Sequence, residues 1–180
     1  MISVPTVFLD RDGIINTSKG FHVNKLEDFE LIPGAIKFIK YLNDNHIRVV
    51  VVTNQAGRSN DILQIIHSAM FNELLNKGAF VDGIYICKHM PSDNCDCRKP
   101  KPGMLLQAQR ELGIDFMNSV MIGDNSKDIS AGATVGCITC LLVNKLIDIE
   151  ECSLRPDYCI SDISQAEAIV QTVFKDYLEG

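Results

Sequence analysis

Val7-Phe8-Leu9-Asp10-Arg11-Asp12-Gly13 carries a short apolar run straight into two carboxylates, two residues apart, and a glycine. A run of this length and content suits a strand buried in a parallel sheet. Its carboxyl end then delivers both acids to the crevice where open α/β sheets bind ligands. Two carboxylates crowded there repel, and a divalent cation with a phosphate-bearing substrate offsets that charge. Read alone, Asp-x-Asp-Gly is equally an acidic β-turn. The rest of the chain decides between the two.

Outward from this stretch, apolar runs of strand length recur with helix-length segments between them. Strands are predicted over 6–9, 48–53, 83–87, 119–122 and 139–143, and helices over 35–43, 61–75, 103–112, 126–134 and 164–178. Pro33-Gly34 and Gly113 mark a helix start and a helix stop. The alternation predicts an α/β fold, a three-layer Rossmann-like parallel sheet covered on both faces, with residues 1–180 as a single domain. Residues 144–157 carry no pattern that assigns them. Composition changes sharply only over 88–102, a segment rich in Pro, Asp, Cys and Lys that needs a staple of its own.

At 46% hydrophobic and 22% charged residues, 180 residues suffice for a sizeable core rather than a disordered chain. The net charge of −6 and the absence of any Lys/Arg run beyond a pair argue against nucleic acid or an anionic membrane as partner. Apolar runs such as Val49–Val52 are far too short to span a bilayer, and the N-terminus does not read as a secretory signal. The expectation is a cytoplasmic protein, monomeric, acting on a small molecule. Seven cysteines, three of them within eleven residues beside a histidine, then point to metal binding rather than disulfides.

The predicted strand ends line up. The second strand stops at Thr53-Asn54-Gln55, a hydroxyl and two amides suited to phosphate oxygens. Arg98-Lys99-Pro100-Lys101-Pro102-Gly103 brings cations to a helix start, which itself favours anions. The fourth strand stops at Gly123-Asp124, with Asp128 four residues later. Taken singly, Thr53-Asn54 is equally a helix cap, the Arg/Lys pair a solvated loop, and Asp124 with Asp128 the decoration of a helix start. Their joint occurrence in this order favours one shared site.

In that combination the residues resemble the haloacid dehalogenase superfamily of phosphohydrolases, over nearly the whole chain. Asp10-x-Asp12-Gly13, Thr53, Lys99 and Gly123-Asp124-x-x-x-Asp128 match its four signatures. The resemblance implies Asp10 as the nucleophile that is phosphorylated and Asp12 as general acid and base. Thr53 and Lys99 would hold the transferring phosphoryl group. Magnesium would be bound by the Asp10 carboxylate, the Asp12 main-chain carbonyl and the Asp124 carboxylate, with Asp128 orienting Lys99 or a metal-bound water. A carboxylate attacking phosphorus splits one hard step into two. Cations reduce its repulsion from the phosphate dianion and stabilise the transition state.

Cys87-Lys88-His89 followed by Cys95-Asp96-Cys97 offers three thiolates and one imidazole, the closed tetrahedral set of a structural zinc site. A loop of free thiols is the plainer alternative. The loop narrows the resemblance to the zinc-containing histidinol-phosphatase subgroup, which has little or no cap over an open active site. Cys95 to Met104 and Asp28 to Gly34 look most like its heptose bisphosphate phosphatase branch. That branch implies removal of the 7-phosphate of D-glycero-D-manno-heptose 1,7-bisphosphate, towards nucleotide-activated heptose for lipopolysaccharide and other surface glycans. By the same resemblance Ser18, Lys19, Gly20 and Phe21 form a substrate loop, Asn54 and Gln55 bind phosphate, and Arg98 meets the second phosphate or the sugar.

Two features depart from the branch: Asn125 stands where it usually carries Lys, and the segment after Gln55 is short. Histidinol-phosphate phosphatase is the alternative activity, and a non-catalytic zinc-stabilised binding protein a remoter one. Elsewhere, Cys137-Ile138-Thr139-Cys140 has redox spacing but runs into Leu141-Leu142-Val143, which suggests buried small hydrophobes. His46 and His67 are read as structural, and His22 as a polar loop residue.

Overall fold

The computed structural model describes residues 3–18, 23, 25–143 and 153–180. Six strands form one sheet: β1 (Thr6–Leu9), β2 (Arg48–Asn54), β3 (Gly83–Cys87), β4 (Ser119–Gly123), β5 (Ile138–Leu142) and β6 (Tyr158–Ile160). Every pairing is parallel, in the order β3-β2-β1-β4-β5-β6. The helices are α1 (Pro33–Asp44), α2 (Asn60–Asn76), α3 (Gly103–Leu112), α4 (Ser126–Val135), α5 (Ala166–Val173) and α6 (Lys175–Leu178). The chain steps outward from β1 in one direction and from β4 in the other, so the switch point of the sheet lies between β1 and β4.

Successive strand residues point to opposite faces, and the core divides accordingly. Val7, Leu9, Val49, Val51, Val120 and Ile122 pack with residues of α1, α2 and α5 on one face. Phe8, Val50, Val52 and Met121 pack with residues of α3 and α4 on the other. Both faces of the central strands are therefore dry, which is why they read as continuous apolar runs. Among the described residues, this one sheet and its helices account for the extended regular structure, and no separate cap stands beside them.

Two elements differ from the sequence expectation. β6 is three residues long and carries too short a pattern to be read. Its register is set by a tertiary clamp: Thr139 donates to Asp157 Oδ2 from its main-chain N and its hydroxyl, both at 2.8 Å, and Asp157 N donates back to Thr139 Oγ1. The last predicted helix is broken at Phe174, which leaves the helical conformation and buries its ring in the core. No helix among the described residues is long and apolar enough to cross a membrane.

Candidate active site

Asp10 follows β1 directly, and its main-chain N donates to Ile122 O of β4, which ties it to the switch point. The chain then turns sharply, with the N–H groups of Ile15 and Asn16 both donating to Arg11 O. Gly13 closes this turn at φ +86°, where a Cβ would stand 2.1 Å from Asp124 Oδ2. Only glycine lets the turn approach the β4 end this closely.

Lys99 joins the strand ends. Its ammonium is buried and lies 2.9 Å from Asp10 Oδ1, 2.6 Å from Asp128 Oδ1 and 2.7 Å from Val52 O. All three donors of the ammonium thus have partners. Burial alone would lower its pKa, but the two carboxylates reverse that and hold it above the ordinary lysine range. Asn54 fixes the Lys99 main chain from both sides, donating to its carbonyl and accepting from its N–H, each at 3.1 Å. The amide expected to meet phosphate is engaged with the peptide that carries the lysine.

The acids around this cation are crowded. Oxygens of Asp10, Asp124 and Asp128 all lie within 4.8 Å of one another. Burial pushes the Asp10 carboxyl up to about 6, with Lys99 opposing and Asp128 adding to the rise. Asp124 is pushed up to about 7, by burial first and then by the charges of Asp10 and Asp128. A hard divalent cation between Asp10 and Asp124 would relieve that repulsion and favour both ionised forms, so this oxygen set fits magnesium. Asp128 is committed otherwise, to Lys99 and to the N–H of Asn125.

Asp12 faces a different environment. Its Oδ1 accepts from Arg11 Nε (3.1 Å), Arg11 Nη2 (2.8 Å) and Asn16 Nδ2 (3.0 Å), and its Oδ2 from Gln55 Nε2 (2.9 Å). Burial works to raise its pKa, yet the Arg11 charge and these hydrogen bonds outweigh it and hold Asp12 below the usual carboxylate range. Gln55 Nε2 also donates to the buried Thr53 hydroxyl at 2.8 Å, which links the end of β2 to the β1 turn. Arg11 itself is fully buried and touches His67 of α2. Burial and the nearby Arg11 charge push the His67 ring down to about 4. Arg11 is the variable position of the Asp-x-Asp-Gly signature, His67 belongs to no recognisable motif, and their contact spans 56 positions.

The second donor group begins at Cys87, the last residue of β3, and continues into the loop after it. Cys87 Sγ lies 3.7 Å from His89 Nδ1 and 3.6 Å from Cys95 Sγ; Cys97 Sγ lies 3.2 Å from His89 Nδ1 and 3.4 Å from Cys95 Sγ. Sulfur and nitrogen ligands of one tetrahedral zinc lie about 3.5–3.8 Å apart, so the set fits that ion with small adjustment. The loop is held close to α3: Gly103 N donates to Asp96 O, and a Cβ on Gly103 would meet that oxygen at 2.3 Å. Arg98, half-buried, donates to His89 O at 3.3 Å and so belongs to the same loop.

The remaining expected residues are dispersed or differently occupied. Ser18 is exposed, while Lys19, Gly20, Phe21 and His22 lie outside the described residues. Asn125 caps α4, accepting from Lys127 N, with Asp128 closing a reciprocal capping box. Cys137 and Cys140 are buried thiols whose pKa burial pushes up to about 12, the inert state.

Known proteins match this chain along most of its length. Residues 7–95 match the model of the haloacid dehalogenase-like hydrolases, and residues 96–166 a second HAD-hydrolase-like model. D-glycero-beta-D-manno-heptose-1,7-bisphosphate 7-phosphatase of Photorhabdus laumondii is 41% identical over 78% of this chain and 80% of its own. The D-glycero-alpha-D-manno-heptose-1,7-bisphosphate 7-phosphatase of Campylobacter jejuni is 38% identical over 77% and 82%. Among solved structures, D,D-heptose 1,7-bisphosphate phosphatase from B. bronchiseptica, complexed with magnesium and phosphate, superposes with a TM-score of 0.85. It is 31% identical and covers 94% of this chain and 99% of its own. Strand order, strand-end residues and relatives agree, and the chain belongs to the haloacid dehalogenase-like hydrolase family.

Proposed function

We propose that this protein is a magnesium-dependent phosphatase that removes the 7-phosphate of D-glycero-D-manno-heptose 1,7-bisphosphate, in the supply of activated heptose for surface glycans. The observation that carries the reading is the Lys99 ammonium between Asp10 and Asp128, facing Asp124 across the switch point. Relatives named for heptose bisphosphates support the substrate class.

Asp10 Oδ attacks phosphorus while the bond to the sugar oxygen breaks, giving an acyl phosphate on Asp10. Asp12, ionised in the free protein where Arg11 holds its pKa down, takes up a solvent proton with the substrate in place and gives it to the departing oxygen. Ionised again, it takes a proton from the water that cleaves the acyl phosphate and releases inorganic phosphate. Lys99 and the Thr53 hydroxyl hold the phosphoryl oxygens, and Asp128 keeps Lys99 charged and aimed. Asp10, Asp124 and the Asp12 carbonyl would hold magnesium, which supplies charge neutralisation when bound. Cys87, His89, Cys95 and Cys97 would hold zinc as a staple for the loop that presents Arg98 and Lys99. Arg98 is assigned to the non-reacting end of the substrate, and Ser18 to Phe21 to the sugar.

Phosphate release from both heptose 1,7-bisphosphate anomers, fructose 1,6-bisphosphate and histidinol phosphate tests this reading. One heptose anomer is expected to have the highest kcat/KM. Faster hydrolysis of histidinol phosphate would move the chain to the other branch of its subgroup.

A further inference from the structure

Arg11 and His67 stand beside Asp12 with no part in the reaction so far. A fully buried guanidinium needs partners for its N–H groups. Nε and Nη2 go to Asp12 Oδ1, while Nη1 lies 3.0 Å from Nε2 of His67, itself 6% exposed on α2. Guanidinium has donors and no acceptor, so His67 Nε2 accepts, and the ring is neutral with its proton on Nδ1. Asn16 brings a third N–H to the same Asp12 oxygen. A buried chain of hydrogen bonds thus runs from α2 through Arg11 to the carboxylate of the first strand end.

We propose that His67 is a positioning residue for Asp12. By holding Arg11 Nη1, it aims Nε and Nη2 at Oδ1 and fixes the orientation of the carboxylate that protonates the leaving oxygen. The inference rests on Asp12 being the acid and base of the proposed reaction. Arginine has a long, many-rotamer side chain, and a bond at its far corner selects the rotamer that forks onto Asp12. Neither Arg11 nor His67 exchanges a proton: Asp12 loses one to the ester oxygen and regains one from the attacking water. A histidine that only satisfies a buried arginine would look the same in the structure. The two accounts separate on the leaving-group dependence of kcat/KM, which ends at acyl-phosphate formation: an aryl phosphate needs no proton at its leaving oxygen, whereas the later attack of water, with Asp12 as base, is common to both substrates.

The experiment measures kcat and KM on the preferred heptose bisphosphate and on 4-nitrophenyl phosphate at saturating magnesium. The proteins are wild type, His67→Leu, His67→Gln and Asp12→Asn. General acid catalysis supplies roughly 10²–10⁴-fold, and His67→Leu is expected to lose at least about tenfold in kcat/KM on the sugar phosphate. Its kcat/KM on the aryl phosphate should fall less than about threefold. His67→Gln, whose amide oxygen can accept from Arg11, should recover to within about threefold of wild type. Equal losses on both substrates, an unaffected His67→Leu, or a glutamine variant no better than leucine would overturn the proposal. If His67→Leu does not fold, Arg11→Lys replaces it: the charge stays, the fork is lost, and the same selective loss is expected, a uniform one overturning. If Asp12→Asn itself lowers kcat/KM equally on both substrates, the acid reading falls and the inference with it.

Discussion

The acidic cluster at the end of β1 and the sulfur–nitrogen cluster at the end of β3 are both sets of metal-capable donors, assembled in opposite ways. Asp10, Asp124 and Asp128 come from opposite halves of the chain and meet because β1 and β4 are neighbours. Cys87, His89, Cys95 and Cys97 lie within eleven residues and meet by local folding. In the first set the sheet imposes the spacing, so like charges are kept together although they repel, and the pKa values of Asp10 and Asp124 rise, by burial first and by neighbouring carboxylates after it. In the second the sheet places only Cys87, at the end of β3, and a closed tetrahedral ligand shell is what would hold the other three donors and their loop. Charge crowding retained by a rigid scaffold suits a site that must respond to substrate and cation. A closed local shell suits a staple.

The comparison is broken most directly at Asp10. Asp10→Asn removes the nucleophile and is expected to lower kcat by at least roughly 10³-fold. Thermal stability should hold, because one of three crowded charges goes while Lys99 keeps Asp128. Turnover within about tenfold of wild type, in protein free of deamidated material, would end the nucleophile assignment.

At the other cluster, protein purified without added metal should hold one zinc per chain, and Cys97→Ala should lose it. A structural zinc shell contributes enough that the thermal midpoint should drop by roughly 10 °C or more. Activity should fall on every substrate, since Lys99 follows Cys97 two residues later, and furthest on a heptose bisphosphate, since Arg98 belongs to the same loop. Reduced, folded, active protein with no zinc would erase the contrast between the two clusters.

Arg98 tests how far the staple reaches into recognition. A charge-assisted hydrogen bond contributes about 1.5–3 kcal/mol, so Arg98→Ala should lower kcat/KM on a heptose bisphosphate roughly 10- to 150-fold. Loss on an aryl monophosphate should be far smaller. Equal losses would place Arg98 at the reacting phosphate.

The smallest expected effect concerns pH. Asp10 and Asp124 sit at about 6 and about 7, above the ordinary carboxylate value of 3.8. Their protonated forms are favoured on folding, so the destabilisation they contribute is full above about 7 and relieved as pH falls towards the unfolded value. Magnesium must displace those protons. The rise in thermal midpoint on adding magnesium should therefore be larger at high pH than near 6, below the Asp124 value. A rise independent of pH would mean that the crowded acids do not receive the ion.

Much of this was legible in residue order. Strands β1 and β3 and helix α3 fall on their predicted bounds, because apolar runs ending in Asp, Cys or Gly leave few alternatives. The zinc-type set was legible because its donors are local. β6 was not, since a three-residue strand is specified by its neighbour and by the Thr139–Asp157 clamp. The engagement of Asn54 with the Lys99 peptide, of Asn125 with α4, and of His67 with Arg11 left no trace in spacing. An amide or imidazole has the same formula whether it faces a ligand, a helix end or a guanidinium.

By itself the sequence determined which chemical groups are present, their alternation along buried strands, and the order in which strand ends present them. Those properties reside in single residues and short periods. Tertiary structure decided that Lys99 would lie between Asp10 and Asp128, that Asp124 would rise while Asp12 fell, and that a histidine on α2 would grip the arginine between two acids. Protonation and orientation depend on desolvation and on charges a few ångströms away, and in a parallel sheet those neighbours come from distant parts of the chain.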